Sequence, residues 1–147
     1  MAVQAELFAA KHAAALARSE ALEAGGVTPT GDASHLALVD LGPIELETLG
    51  EIVARAVRFG SGDLELEEVD LDHEALLLLP DFLCEALAEL SRSEDPDLAT
   101  EVATEWAQAE EVDASATELL PVLRSIVALV LLAEKTGERL YLWTAEG

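Results

Sequence analysis

The sequence predicts an α+β fold in one domain spanning residues 1–147, with about five helices packed on a small sheet of short strands. Three observations lead there. Short alternations of apolar and polar residues stand near both ends of the chain, so both termini contribute strands. Stripes of Leu and Val at helical spacing occupy the stretch between them. Gly and Pro punctuate these segments at short intervals. With 147 residues, 51% of them hydrophobic, the chain buries a core without a disulfide or a metal.

The elements follow in order. Val3, Ala5, Leu7 and Ala9 alternate with Ala2, Gln4, Glu6 and Phe8, which suits a short strand. Lys11 to Ala24 is an Ala-rich helix stopped by Gly25-Gly26, and Thr28 to Asp32 has loop chemistry. His35 to Leu41 reads as a strand. Gly42-Pro43 opens a helix with Leu46, Leu49, Val53 and Val57 on its apolar face. Phe59 to Asp63 is a break, and Asp63 to Glu74 is expected as an exposed strand or extended arm. Leu76 to Leu79 is a short buried strand before Pro80, and Asp81 to Leu90 is a helix. A further helix is expected from an Asp95 cap and Pro96 to about Glu111, with Leu98, Val102, Trp106 and Ala109 inward. Ser115 to Glu118 has the form of a capping box, but Pro121 places the regular helix nearer Leu120. Val122 to Ala133 is apolar nearly all round and is expected to be the central buried helix. Gly137 ends it, and Arg139 to Trp143 is the closing strand.

Charge is the unusual feature. There are 30 acids against 8 Lys and Arg, a net charge of −22. A surface like that repels DNA, RNA and anionic membranes, so neither a nucleic acid nor a membrane is an expected partner. The acids are also segregated: residues 61–118 hold 19 acids and one base, Arg92. Asp97, Glu101 and Glu105 follow each other at helical i, i+4 spacing, where like charges destabilise by about 0.2–0.5 kcal/mol per pair. Glu110 and Glu111 fall at the end of that helix, which the dipole makes unfavourable for acids. Crowding of this kind fits a basic partner that would relieve it.

Sites of chemistry find little support. Asp63 to Glu74 superficially resembles a calcium loop but lacks the mid-loop glycine. His12, His35 and His73 are scattered in sequence and are expected at the surface or at edges. Gly60-Ser61-Gly62 is not a nucleophile elbow. Cys84, in an apolar run, reads as a core thiol that is not a nucleophile. No catalytic residue, metal or cofactor is expected. A lone cysteine and no visible secretory signal lead us to expect a cytoplasmic protein.

One set of residues carries a resemblance. It comprises Gly25-Gly26, Asp40-Leu41-Gly42-Pro43, Leu79-Pro80-Asp81-Phe82-Leu83, Leu98-Ala99, Glu105 to Glu111, and Leu129 through Gly137 to Leu140-Tyr141-Leu142-Trp143. In these the chain resembles a family of small acidic actinobacterial proteins of uncharacterised activity that end in a Leu-Tyr-Cys-Trp strand. Leu142 stands where the family has cysteine, and the family's N-terminal aromatic residues are mostly replaced. The resemblance implies a strand at each terminus and brings no activity or catalytic residue.

The functional expectation is a non-catalytic module that binds another protein through an acidic face. In its sharpest form it is an inhibitor or immunity-type protein that neutralises a basic partner, such as a nuclease toxin. Glu65, Glu67, Glu68, Asp70, Glu101, Glu105, Glu110 and Glu111 are its expected contact residues, with Trp106 as an interface anchor. The alternative is a structural subunit that forms a homo-oligomer through the apolar surface around the closing strand, its acidity serving only solubility. A small enzyme with a carboxylate site ranks last.

Overall fold

The computed structural model describes residues 4–26, 34–60, 62–70, 72–73, 75–110, 112 and 114–145. In chain order the elements are β1 (Gln4–Ala10), α1 (His12–Glu23), β2 (His35–Val39), α2 (Pro43–Ala56), β3 (Glu67–Glu68), β4 (Leu76–Leu78), α3 (Asp81–Ser91), α4 (Leu98–Ala107), α5 (Ala116–Thr136) and β5 (Arg139–Ala145). The expected loop Thr28 to Asp32 lies outside the described residues.

The five strands form one antiparallel sheet in the order β2-β1-β5-β4-β3. The α+β class and the strands from both termini are as the alternation predicts. Because side chains alternate across a sheet, β1 and β5 each serve two cores. Ala5, Leu7 and Ala9 of β1 join Leu140 and Leu142 of β5 on one face, under α2 to α5. Phe8 and Ala10 join Tyr141 and Leu76 on the other, where Ala15 and Leu16 of α1 cover them. The Phe8 ring stacks on Tyr141 and on His35, each with centroids 5.8 Å apart.

The helices lock together through close approaches. On α2, a Cβ at Gly50 would come within 2.6 Å of Leu83 Cδ1 and 2.9 Å of Leu64 Cδ2, so any side chain there would have to push both leucine tips aside. Gly137 takes a left-handed φ of 70° and turns the chain from α5 into β5.

Three helix expectations change. First, α4 runs only from Leu98 to Ala107. Asp95 Oδ1 accepts the Asp97 N–H at 2.9 Å, a turn that delays the helix past Pro96. Second, α5 begins at Ala116 and carries Pro121 inside it. The capping box forms, with Ser115 Oγ accepting the Glu118 N–H at 3.2 Å. Pro121 and Thr117, whose carbonyl the proline ring leaves unpaired, are both exposed, so water reaches the interrupted bond. Third, α5 is not buried all round. Leu123, Ile126, Leu129 and Val130 are buried, whereas Ala128 is exposed and Leu131 is 37% exposed. By length and composition this 21-residue helix would span a membrane, at a mean hydropathy of 1.9, yet here it packs on α3, α4 and the sheet.

Trp106 is wholly buried between α4 and α2, and its Nε1 donates to the Glu45 carbonyl oxygen at 3.0 Å. It is a core residue and no interface anchor. Replacing it with alanine opens a large cavity, so Trp106→Ala should lower stability by about 3–5 kcal/mol in urea denaturation. Trp106→Phe keeps most of the volume and should cost about 1 kcal/mol more than its packing change, through the lost hydrogen bond.

Candidate functional site

The acidic residues divide into two strips on either side of α2. The first is the segment before and through β3, at the outer edge of the sheet. Its backbone is fastened to α2 by Glu47, whose Oε1 accepts the Leu66 N–H at 3.1 Å. Leu66 turns into the main core and Val69 packs on the α1 side, so the intervening Glu67 and Glu68 face solvent, as does Glu65. The second strip is the outer face of α4, with Glu101 and Glu105 exposed. Arg55 of α2 reaches across and donates to Glu105 at 2.7 Å.

That ion pair corrects the electrostatic expectation for α4. Glu105 has a base beside it that the sequence distribution hides, because the base comes from α2, fifty residues earlier. Glu110 is exposed but lies beyond the end of α4, so the helix dipole places no penalty on it. Glu111 lies outside the described residues. Asp70 is also tied down: its Oδ1 meets His73 Nδ1 at 2.7 Å, while His73 Nε2 meets Glu20 Oε1 of α1 at 3.3 Å. The structure thus sets Glu65, Glu67 and Glu68 together as free carboxylates, puts Glu101 and Glu105 on a separate helix, and takes Trp106 into the core.

His73 is a clasp between the acidic segment and α1, with its side chain only 12% exposed, and not a scattered surface histidine. The hydrogen bond that His73 Nδ1 donates to Asp70 raises the histidine pKa above the ordinary 6.5, opposed by desolvation and aided by Glu20. The same bond draws Asp70 below its ordinary 3.8.

A buried polar centre escaped the sequence reading. Glu6 projects from β1 beneath α1 and is 1% exposed. Arg18 of α1 grips its carboxylate with two bonds, Nε to Oε2 at 2.7 Å and Nη2 to Oε1 at 2.5 Å, and His35 Nδ1 lies 2.9 Å from Oε2. A carboxylate so deep is tolerable only with such a partner. The signal was present: a single acid in the apolar alternation of β1, and a single arginine in the Ala-rich α1. Nearby, Ser19 Oγ and Trp143 Nε1 are buried with no hydrogen-bond partner among the described residues. His35, on the edge strand β2 as expected, belongs to this centre. Among the described residues no three His, Cys, Asp or Glu side chains converge for a metal ion.

No family model, curated protein or solved structure matches this chain.

Two measurements separate the roles of these acids. Glu6→Gln leaves the Arg18 charge without its buried counterpart and should cost about 3 kcal/mol or more, whereas Glu105→Gln at the exposed Arg55 pair should cost under about 1 kcal/mol. Equal effects in denaturant titrations would contradict the assignment. The clasp gives a pH dependence. His73 has a raised folded pKa, so its stabilisation is complete below 6.5 and is lost as the pH climbs through the folded value. Asp70 has a lowered one, so its share is present above 3.8 and is lost as the pH falls through the folded value. Unfolding free energy should therefore drop as the pH rises from 6.5 through the raised folded pKa of His73, and His73→Gln should flatten that drop.

Proposed function

We propose that the protein is a non-catalytic binding module whose acidic edge, Glu65, Glu67 and Glu68, with Glu101 and Glu105 beside α2, docks a basic protein. The inhibitor or immunity-type role is the form we favour: the carboxylates occupy the places where phosphates lie on a cationic nucleic-acid site, and the field speeds encounter. One observation carries this reading. Asp70, Asp81, Glu89, Glu105 and Glu134 all have cationic or histidine partners within the fold. Glu65, Glu67 and Glu68 stand exposed in extended backbone with no ion-pair partner among the described residues. Charges left unpaired side by side on a rigid edge are the ones a basic partner gains most by meeting.

Acids on an edge strand also discourage sheet-to-sheet pairing between copies, so the strip has a second consequence that needs no partner. Self-assembly, the other reading, finds its support on α5, where Ala128 and Leu131 are exposed. The closing strand β5 lies inside the sheet, with Leu140, Tyr141 and Leu142 buried, and offers no such surface.

The test compares the native chain with a Glu65→Gln, Glu67→Gln, Glu68→Gln variant as bait in extracts of the native host. A basic protein retained by the first, lost by the second and released near 0.5 M salt is the expected result. Identical retention by both baits, or a concentration-dependent oligomer as the only association, would count against the acidic edge.

A further inference from the structure

A groove of about 570 Å³ opens on the side of the molecule away from α1, between α3, the last turns of α5 and the start of β5. Its volume is in the range of small-molecule sites, roughly 300–1,000 Å³. The floor is apolar: Cys84 and Ala88 come from α3, Val130 from α5 and Leu140 from β5, and Phe59 forms one end. The Phe59 ring is held by Phe82, with centroids 5.4 Å apart. Burial pushes the Cys84 thiol up to about 12, so the floor carries no thiolate at neutral pH.

The rim is charged and unbalanced. Asp81, Glu85 and Glu89 line it along α3, and Glu134 and Glu138 face them. The two arginines of the rim are both engaged. Arg92 donates to Glu89 at 3.0 Å and to Glu134 at 2.8 Å, and Arg139 to Asp81 at 2.9 Å. Glu85 has no ion-pair partner among the described residues, and Glu138 accepts only a neutral hydroxyl bond, from Thr136 at 2.7 Å. The last turn of α5 forms part of the wall; its C-terminal end already meets one cation, Lys11, whose Nζ donates to the Gly137 carbonyl oxygen at 2.9 Å.

We propose that this groove binds a small organic cation with an apolar body, an alkyl- or arylamine or guanidine. The apolar body lies against Cys84 and Phe59, the half-buried apolar lining, above the buried Ala88, Val130 and Leu140. The cationic head sits between Glu85 and Glu138, and the Phe59 face adds a cation–π surface. Two features argue against an anion: the unpaired groups of the rim are carboxylates, and the only guanidinium groups there are already neutralised. A purely apolar ligand would leave Glu85 and Glu138 partly desolvated with nothing gained. The site shares no residue with the acidic edge, so it stands or falls independently of the partner proposed above.

The probe is n-hexylguanidinium chloride, titrated into the ¹⁵N-labelled full chain. The amides of Ala88, Val130 and Leu140 should shift saturably, and alkylation of Cys84 should slow severalfold at saturation. n-Hexanol and hexanesulfonate should bind about tenfold more weakly or worse, because they lack the cation. Glu85→Lys with Glu138→Lys should weaken the probe by about tenfold or more. Glu85→Gln alone, a neutral and nearly isosteric change at an exposed site, should weaken it severalfold and covers the case in which the double variant unfolds. The proposal is overturned if hexanol binds as well as hexylguanidinium, or if the shifts centre on Glu65 to Glu68. Absence of saturation at the groove amides overturns it too. So does tighter binding of the peptide acetyl-Gly-Arg-Gly-amide, which would make the groove a pocket for a protein side chain.

Discussion

β1 and β5 lie side by side in the interior of the sheet, paired from Gln4 with Ala145 to Ala10 with Arg139, and each is covered on both faces. A strand in that position must satisfy two cores at once. Leu7 and Leu142 face each other in the main core, while the next pair along, Phe8 and Tyr141, stacks beneath α1. A slip of one residue would send Leu7 under α1 and Glu6 into the middle of α2 to α5. The register is therefore fixed by the cost of misplacing a carboxylate as much as by leucine packing. Glu6 in turn dictates what α1 must supply, a guanidinium at Arg18, to make burial of that charge bearable.

The same logic governs how a chain of net charge −22 holds together. Four of its six arginines sit where elements meet. Arg55 joins α2 to α4, Arg92 joins α3 to α5, Arg139 joins β5 to α3, and Arg18 joins α1 to β1. Arg92 sits between acids of two helices, Glu89 and Glu134, and the other three each meet an acid of a neighbouring element. The surface pairs among them are individually worth little. Their placement still relieves repulsion where two acidic helices come together. The edge at Glu65, Glu67 and Glu68 receives no arginine, and the His73 clasp at Asp70 and Glu20 holds it to α1 by a histidine whose pKa those carboxylates raise. The edge of the sheet and the rim of the α3–α5 groove are two of the places where exposed acids stand without an ion-pair partner among the described residues, as Glu51, Glu94 and Glu101 do elsewhere.

Local pattern was enough for much of this architecture. The alternation in β1, the Leu/Val stripe of α2, the Ser115 capping box and the Gly137 stop each depend on residues within a turn or two of one another, and all appear in place. The places where sequence and structure diverge involve neighbours brought from far away in the chain. Arg55 beside Glu105 and Glu20 beside His73 are each separated by about fifty residues, so no window of sequence contains both partners. Trp106, on the apolar face of its helix, suited a core first and an interface second, and its complete burial against α2, with the Glu45 carbonyl as acceptor, decided for the core.

The sequence by itself determined the class of fold, the order of the elements, the acidity and its segregation, because periodicity and charge are properties of the chain as written. Tertiary structure alone decided which acids are paired and which are free, which face of α5 meets water, and that Cys84 floors a groove instead of sitting deep in the core. Those outcomes depend on distances between side chains on different elements. Such distances exist only once the sheet has set α1 on one face and α2 to α5 on the other.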